Sequence, residues 1–119
     1  MQFMLMINED ESAYQGPGGA RLLEATLAAH VKLAADLAAA GVPFSGERLK
    51  PARTATTIRW ENGAAVVHDG PFAETHEELG GFYIIDVASL DEALAWAQRI
   101  PVPKGGIEVR PVWPMGAAG

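Results

Sequence analysis

Apolar and polar positions alternate in blocks that spell out a short series of elements. Phe3-Met4-Leu5-Met6-Ile7 is a continuous apolar run stopped by Asn8-Glu9-Asp10. Such a run predicts a buried central strand. Residues 9–19 are polar and end in Gly16-Pro17-Gly18-Gly19, which reads as a loop and a flexible entry to a helix. Residues 20–40 carry Leu22, Leu23, Leu27, Val31, Leu33 and Leu37 on a broad apolar side, with Glu24, Lys32 and Asp36 on a wetter one. That spacing predicts a long helix, with Lys32 and Asp36 paired one turn apart and Gly41 placed to end it.

A second strand region spans 42–49, with a break near Ser45-Gly46, and Pro51 interrupts it. Residues 54–60 are rich in β-branched side chains. Glu61-Asn62-Gly63 follows, and Asn-Gly is a strong hairpin signal, so 64–68 is the return strand. In 80–87, Phe82, Ile84 and Asp86 alternate with Tyr83, Ile85 and Val87, which predicts another strand. Ser89 with Glu92 three residues later makes a capping box, opening a second helix over 90–99 that Pro101 and Pro103 terminate. The alternating segment 107–112 is the last strand, and 114–119 reads as a flexible tail. The order strand, long helix, several strands, shorter helix, strand predicts an α+β fold. Helices would cover one side of a mainly antiparallel sheet, giving a ferredoxin-like sandwich with an extra β-hairpin in a single domain over 1–113.

Composition narrows the chemistry. The 119 residues suit one domain, and a net charge of −6, from 15 acids against 9 bases, leaves no basic face for direct nucleic-acid binding. The same acidity argues against an anionic membrane surface. No apolar run approaches the roughly 18 residues of a membrane-spanning helix, and no signal-like start is seen, so a cytoplasmic location is expected. With no cysteine, disulfides, thiolate catalysis and cysteine-ligated metals are excluded. The Gly16–Gly19 cluster has neither the dinucleotide spacing nor the Lys-Ser/Thr of a phosphate loop. His30, His68 and His76 show no metal-binding helical spacing, so no metal site and no cofactor are expected.

The candidate chemistry lies in two places. Asp69-Gly70-Pro71-Phe72-Ala73-Glu74-Thr75-His76-Glu77 joins two strands with far more residues than a plain hairpin needs. Turn chemistry accounts for Asp69-Gly70-Pro71. Phe72 plugs the fold or covers a pocket mouth, and Asp69, Glu74 or His76 is placed to meet a small ligand. The second place is His30, mid-helix near the core margin: a packed histidine, or a proton-transfer group facing a pocket between helix and sheet, with Asp69 or Asp86 to orient it. Arg48, Lys50, Arg53 and Arg59 are moderately clustered, serving solubility or a small anion. The ligand-contacting set expected from these features is Phe72, Glu74 and Arg59, beside a catalytic pair of His30 and Asp69.

The loop string through Thr75, followed by Glu77-Glu78-Leu79-Gly80-Gly81-Phe82-Tyr83, closely resembles the DGPF-type branch of YCII-related proteins. Gly46-Glu47-Arg48-Leu49-Lys50-Pro51, residues 90–97 and Glu108-Val109-Arg110-Pro111-Val112 extend the likeness to nearly the whole chain. His76 stands where many members carry lysine. The resemblance implies a ferredoxin-like fold of the dimeric α-β barrel type, and hence a homodimer. It also implies a cleft with a histidine–aspartate pair in the broader family, the histidine in the early helical region where His30 lies. A few relatives act in aromatic degradation, and some accompany sigma-factor-like regulators. Two functional expectations follow: an unidentified small molecule bound in a cleft near the Asp69 loop, with acid–base chemistry, or a non-catalytic dimeric structural or regulatory module.

Overall fold

The computed structural model describes residues 1–116. Its regular elements are β1 (Gln2–Glu9), α1 (Gly19–Ala39), β2 (Phe44–Arg48), β3 (Thr56–Glu61), β4 (Ala64–Asp69), β5 (Glu78–Asp86), α2 (Leu90–Ala97) and β6 (Gly105–Pro111). Single 3-10 turns at Glu11–Tyr14 and Ala52–Thr54 complete the path. Four strands form one sheet in the order β2-β5-β1-β6, and every neighbouring pair is antiparallel. With β3 and β4 set aside as a separate two-stranded ribbon, this is the strand order of a ferredoxin-like α+β fold carrying an inserted hairpin. Of the expected tail, residues 117–119 lie outside the described residues.

The alternation of β1 sets the two faces of the sheet. Phe3, Leu5 and Ile7 are buried against the helices, joined by Ile85 of β5. Leu33 and Leu37 of α1, Ala93 and Ala97 of α2, and Val87 and Ile100 close this core. Met4 and Met6 point to the opposite face, where they pair in register with Ile84 and Phe82 and stay only partly covered.

The local signals act as their chemistry requires. Gly41 has φ +72°. The amides of Gly41 and Val42 bond the carbonyls of Ala38 and Leu37, a Schellman end to α1. Ser89 Oγ accepts from the Glu92 amide at 3.2 Å. Glu92 reaches back one residue further than the sequence suggests, to the Ala88 amide. Lys32 meets Asp36 at 2.9 Å, and Asp36 also pairs with Arg99 just beyond α2, tying the two helices together. These are solvent-screened surface pairs and contribute little to stability.

The molecule is flat, 50 × 48 × 17 Å, with a radius of gyration of 16.4 Å. A compact chain of this length would measure about 13–14 Å. Two layers of structure and a projecting β3–β4 ribbon account for the difference.

Candidate functional site

The cleft forms because a strip of the sheet carries no side chains on its helix-facing side. Gly81 of β5 pairs with Ile7 on one flank and with Arg48 on the other, and Gly46 of β2 pairs with Tyr83. The register of β1 against β5 slips between Ile7 and Asn8, leaving Gly80 as an extra residue. A Cβ at Gly80 would fall on the Glu9 carboxylate. At Gly81 it would lie 2.8 Å from the Glu47 carbonyl oxygen, and at Gly46 2.6 Å from that of Phe82. The first half of α1 passes over this bare strip and cannot close on it, so a cavity of about 290 Å³ remains. Leu23, Leu27 and Ala34 roof it, with Thr26 and His30 between them, and Ile7 and Phe44 line its sides.

His30 reaches into the cleft from α1, and Tyr83 meets it from β5. Their rings stack with centroids 5.8 Å apart and planes 18° from parallel. His30 Nδ1 and the Tyr83 hydroxyl are 2.6 Å apart. Burial lowers the His30 pKa, and Arg48 adds to that, while Glu9 and the Pro101 backbone act in the opposite sense. Burial raises the Tyr83 pKa. Both groups are therefore neutral at pH 7. We assign the phenol as donor and Nδ1 as acceptor, the arrangement in which a neutral imidazole receives the phenol proton in a hydrogen bond.

A second pair lies in the same cleft. Tyr14, held by the turn at Glu11–Tyr14, donates its hydroxyl to Glu9 Oε1 at 3.0 Å. Burial and the Glu9 carboxylate together raise the Tyr14 pKa. Asp10 anchors the turn: it accepts from the Ser12 amide at 2.9 Å and pairs with Lys104 at 3.2 Å, contacts that lower its pKa to about 2. Thr26 bonds back to the Leu22 carbonyl within α1.

The long loop lies elsewhere. Asp69 ends β4 opposite Thr56. The Gly70 amide bonds the Ala55 carbonyl, Thr57 Oγ1 bonds the Gly70 carbonyl, and Arg59 donates to the Phe72 carbonyl at 2.7 Å. The Arg59 guanidinium also sits 4.2 Å from the centre of the Phe72 ring. The loop is thus clipped onto its own hairpin. Phe72 and Pro71 line a shallow depression with Asn8 and Leu79, which belong to the sheet's other face.

His30 therefore faces a cavity, but Asp69, Glu74, Phe72 and Arg59 do not line it. Nor do Asp69 and Asp86 orient the histidine; Asp86 follows the outward-facing alternation of β5, and the orienting group is Tyr83. Of the basic cluster, only Arg48 lines the cleft. Glu9, Tyr14 and Tyr83 are not among the site residues the sequence suggests, and Arg48 enters there only as one of a basic cluster serving solubility or a small anion. The pair Gly80-Gly81 was the available signal, since adjacent glycines inside a strand mark a close approach.

The fold and this cleft define a small ferredoxin-like α+β protein with a polar-edged pocket between its long helix and its sheet. Residues 1–116 match the model of the YCII-related domain, and the chain belongs to that family. It is 52% identical over 68 residues to "Uncharacterized protein R00369" of Rhizobium meliloti (strain 1021), a match covering 55% of each chain. The chain thus spans about half the length of that curated relative.

Proposed function

We propose that the protein binds a small molecule in the cleft between α1 and the sheet and transfers a proton to or from it through Tyr83 and His30. The observation that carries this reading is the 2.6 Å contact between His30 Nδ1 and the Tyr83 hydroxyl at the wall of a cavity. With its proton directed at the imidazole, the phenol oxygen keeps lone pairs for a ligand. A proton leaving the ligand passes to Tyr83 Oη as the phenol proton moves to His30 Nδ1, and the reverse path returns it. Glu9 lies on the same cleft to offset the imidazolium charge. The Asp69 loop takes no part in this step.

Deuterium uptake tests the reading. Small ketones and aldehydes with exchangeable α-protons are incubated with the protein in D2O and followed by NMR. Catalysed exchange that disappears in Tyr83→Phe and in His30→Ala supports it. Exchange that persists in both variants, or no exchange with any compound, counts against it.

A second reading rests on a different observation and is compatible with the first. Ile58 and Trp60 of β3 share one face of the hairpin with Ala65 and Val67 of β4, and Trp60 remains 72% exposed. Arg59, Glu61 and His68 occupy the other face, where His68 and Glu61 meet at 3.2 Å. A ribbon with one apolar face that no other element among the described residues covers suits a homodimer, and the loop motif suits membership in the DGPF branch.

A further inference from the structure

Arg48 and Glu9 flank the floor of the cleft in a way that selects a ligand. Arg48 stands on β2 and Glu9 on β1, with the glycine strip of β5 between them. Their strands lie two spacings apart, about 10 Å, and Glu9 sits two residues further along β1 than Ile7, which shares Gly81 with Arg48. The floor between is the backbone of Gly46 and Gly81, with the Glu9 carboxylate lying over Gly80, and the roof is Leu23 and Leu27. This makes a slot with a cation at one side, an anion at the other and apolar walls above.

The polar groups of the slot are not equally free. Thr26 is bonded to Leu22, Tyr14 to Glu9, and Tyr83 to His30. Among the described residues, Arg48 has no ion pair within 4.0 Å. It offers a fork of N–H donors suited to a planar carboxylate. Glu9 already accepts from Tyr14, and its charge disfavours a second anionic group at that side.

We infer that the cleft takes an organic monocarboxylate, its carboxylate held by Arg48 and its flat apolar body lying over Gly81 and Gly46 beneath Leu23 and Leu27, beside the Glu9 carboxylate that covers Gly80. This rests on the reading of the cleft as a ligand site. It makes Arg48 the residue that sets substrate class, while Tyr83 and His30 act on the body of the molecule. A neutral isostere fills the same slot but forfeits the ion pair, and a cationic one meets Arg48 with like charge.

The test uses benzoate, benzyl alcohol and benzylamine, titrated into 15N-labelled protein at constant ionic strength and followed by amide shifts. Benzoate is expected to perturb the His30, Gly80 and Gly81 amides and to bind about tenfold more tightly than benzyl alcohol, with benzylamine weakest. Arg48→Gln should bring benzoate down to the level of benzyl alcohol and leave benzyl alcohol unchanged. Because Arg48 is exposed at the cleft mouth, the variant's remaining amide spectrum reports an intact fold. Equal affinity for benzoate and benzyl alcohol overturns the carboxylate assignment while the binding site stands. A benzoate preference that survives in Arg48→Gln does the same, and so does tightest binding of benzylamine. If none of the three shifts those amides, the ligand site and the carboxylate assignment both fall.

Discussion

His30 and Tyr83 form a neutral pair across the helix–sheet boundary, with Nδ1 2.6 Å from the phenol oxygen. Removing the hydroxyl leaves a half-buried imidazole nitrogen without its donor. Tyr83→Phe is therefore expected to cost about 1 kcal/mol of stability. It should also raise the His30 pKa, because a hydrogen bond into Nδ1 favours the neutral ring. NMR titration of the ring nitrogens measures the second effect. A pKa unchanged or lowered in the variant would show that the hydroxyl does not donate to Nδ1.

The same pair predicts how stability follows pH. Burial holds the His30 pKa below its usual value of 6.5. Below pH 6.5 the unfolded chain therefore takes up a proton at this position before the folded chain does. Stability from this group is complete above pH 6.5 and falls as pH drops from there through the lower folded pKa. Urea denaturation between pH 7.5 and 5 should show that decline, and His30→Gln should flatten it. An identical slope in the variant would assign the decline to other groups.

The glycine strip makes two substitutions with different outcomes. A methyl group at Gly81 collides with the Glu47 backbone carbonyl at 2.8 Å, and a paired strand cannot yield cheaply. Gly81→Ala is expected to lose about 1–3 kcal/mol. At Gly80 the obstacle is the end of the Glu9 side chain, which can swing aside. Gly80→Ala should cost much less stability but displace the carboxylate and disturb binding in the cleft. Thermal or urea unfolding of the two variants orders them, and equal losses would contradict this account of the floor.

The architecture was legible because the signals were local and consistent. Ser89 capped, Gly41 terminated and Asn62-Gly63 turned as their chemistry requires, with Asn62 at φ 51° and Gly63 at φ 81°. The cleft was legible only in part. His30 could be placed near the core margin by helical spacing, but its partner stands 53 positions away on a strand. No periodicity links the two. Tyr83 read as one more strand residue, and Glu9 read as the start of a polar loop, whereas it is the last residue of β1. What brings Glu9, Arg48 and Tyr83 together is sheet order, in particular β5 lying between β1 and β2. The loop drew attention for the opposite reason. Its acids and histidine are dense along the chain, yet the Ala55 carbonyl accepts from its Gly70 amide and the Thr57 and Arg59 side chains donate to its backbone carbonyls, which commits it to its own hairpin.

The hairpin's exposed apolar face yields the last prediction. Ile58, Trp60 and Val67 stand 53%, 72% and 65% exposed on one side of a ribbon only two strands wide. A free two-stranded ribbon is marginal in water, so its order is best sustained by a surface that covers these side chains. Met4, Met6, Phe82 and Ile84 form a second partly bare apolar patch on the outer face of the sheet. In a two-fold pair, the ribbon of each copy and the outer sheet face of the other are two surfaces of matching character. On the proposed homodimer, replacing Trp60 and Val67 together by lysine is expected to give a monomer where the unaltered protein sediments as a dimer in analytical ultracentrifugation; an unaltered protein that sediments as a monomer would overturn the proposal. The core, which neither residue touches, should keep its far-ultraviolet spectrum. Phe72→Ala removes a ring that Arg59 already covers on one side, so it separates the ribbon from the loop. Loss of the dimer in Phe72→Ala but not in the double lysine variant would place the contact on the loop. A dimer undisturbed by both would remove the hairpin from the interface.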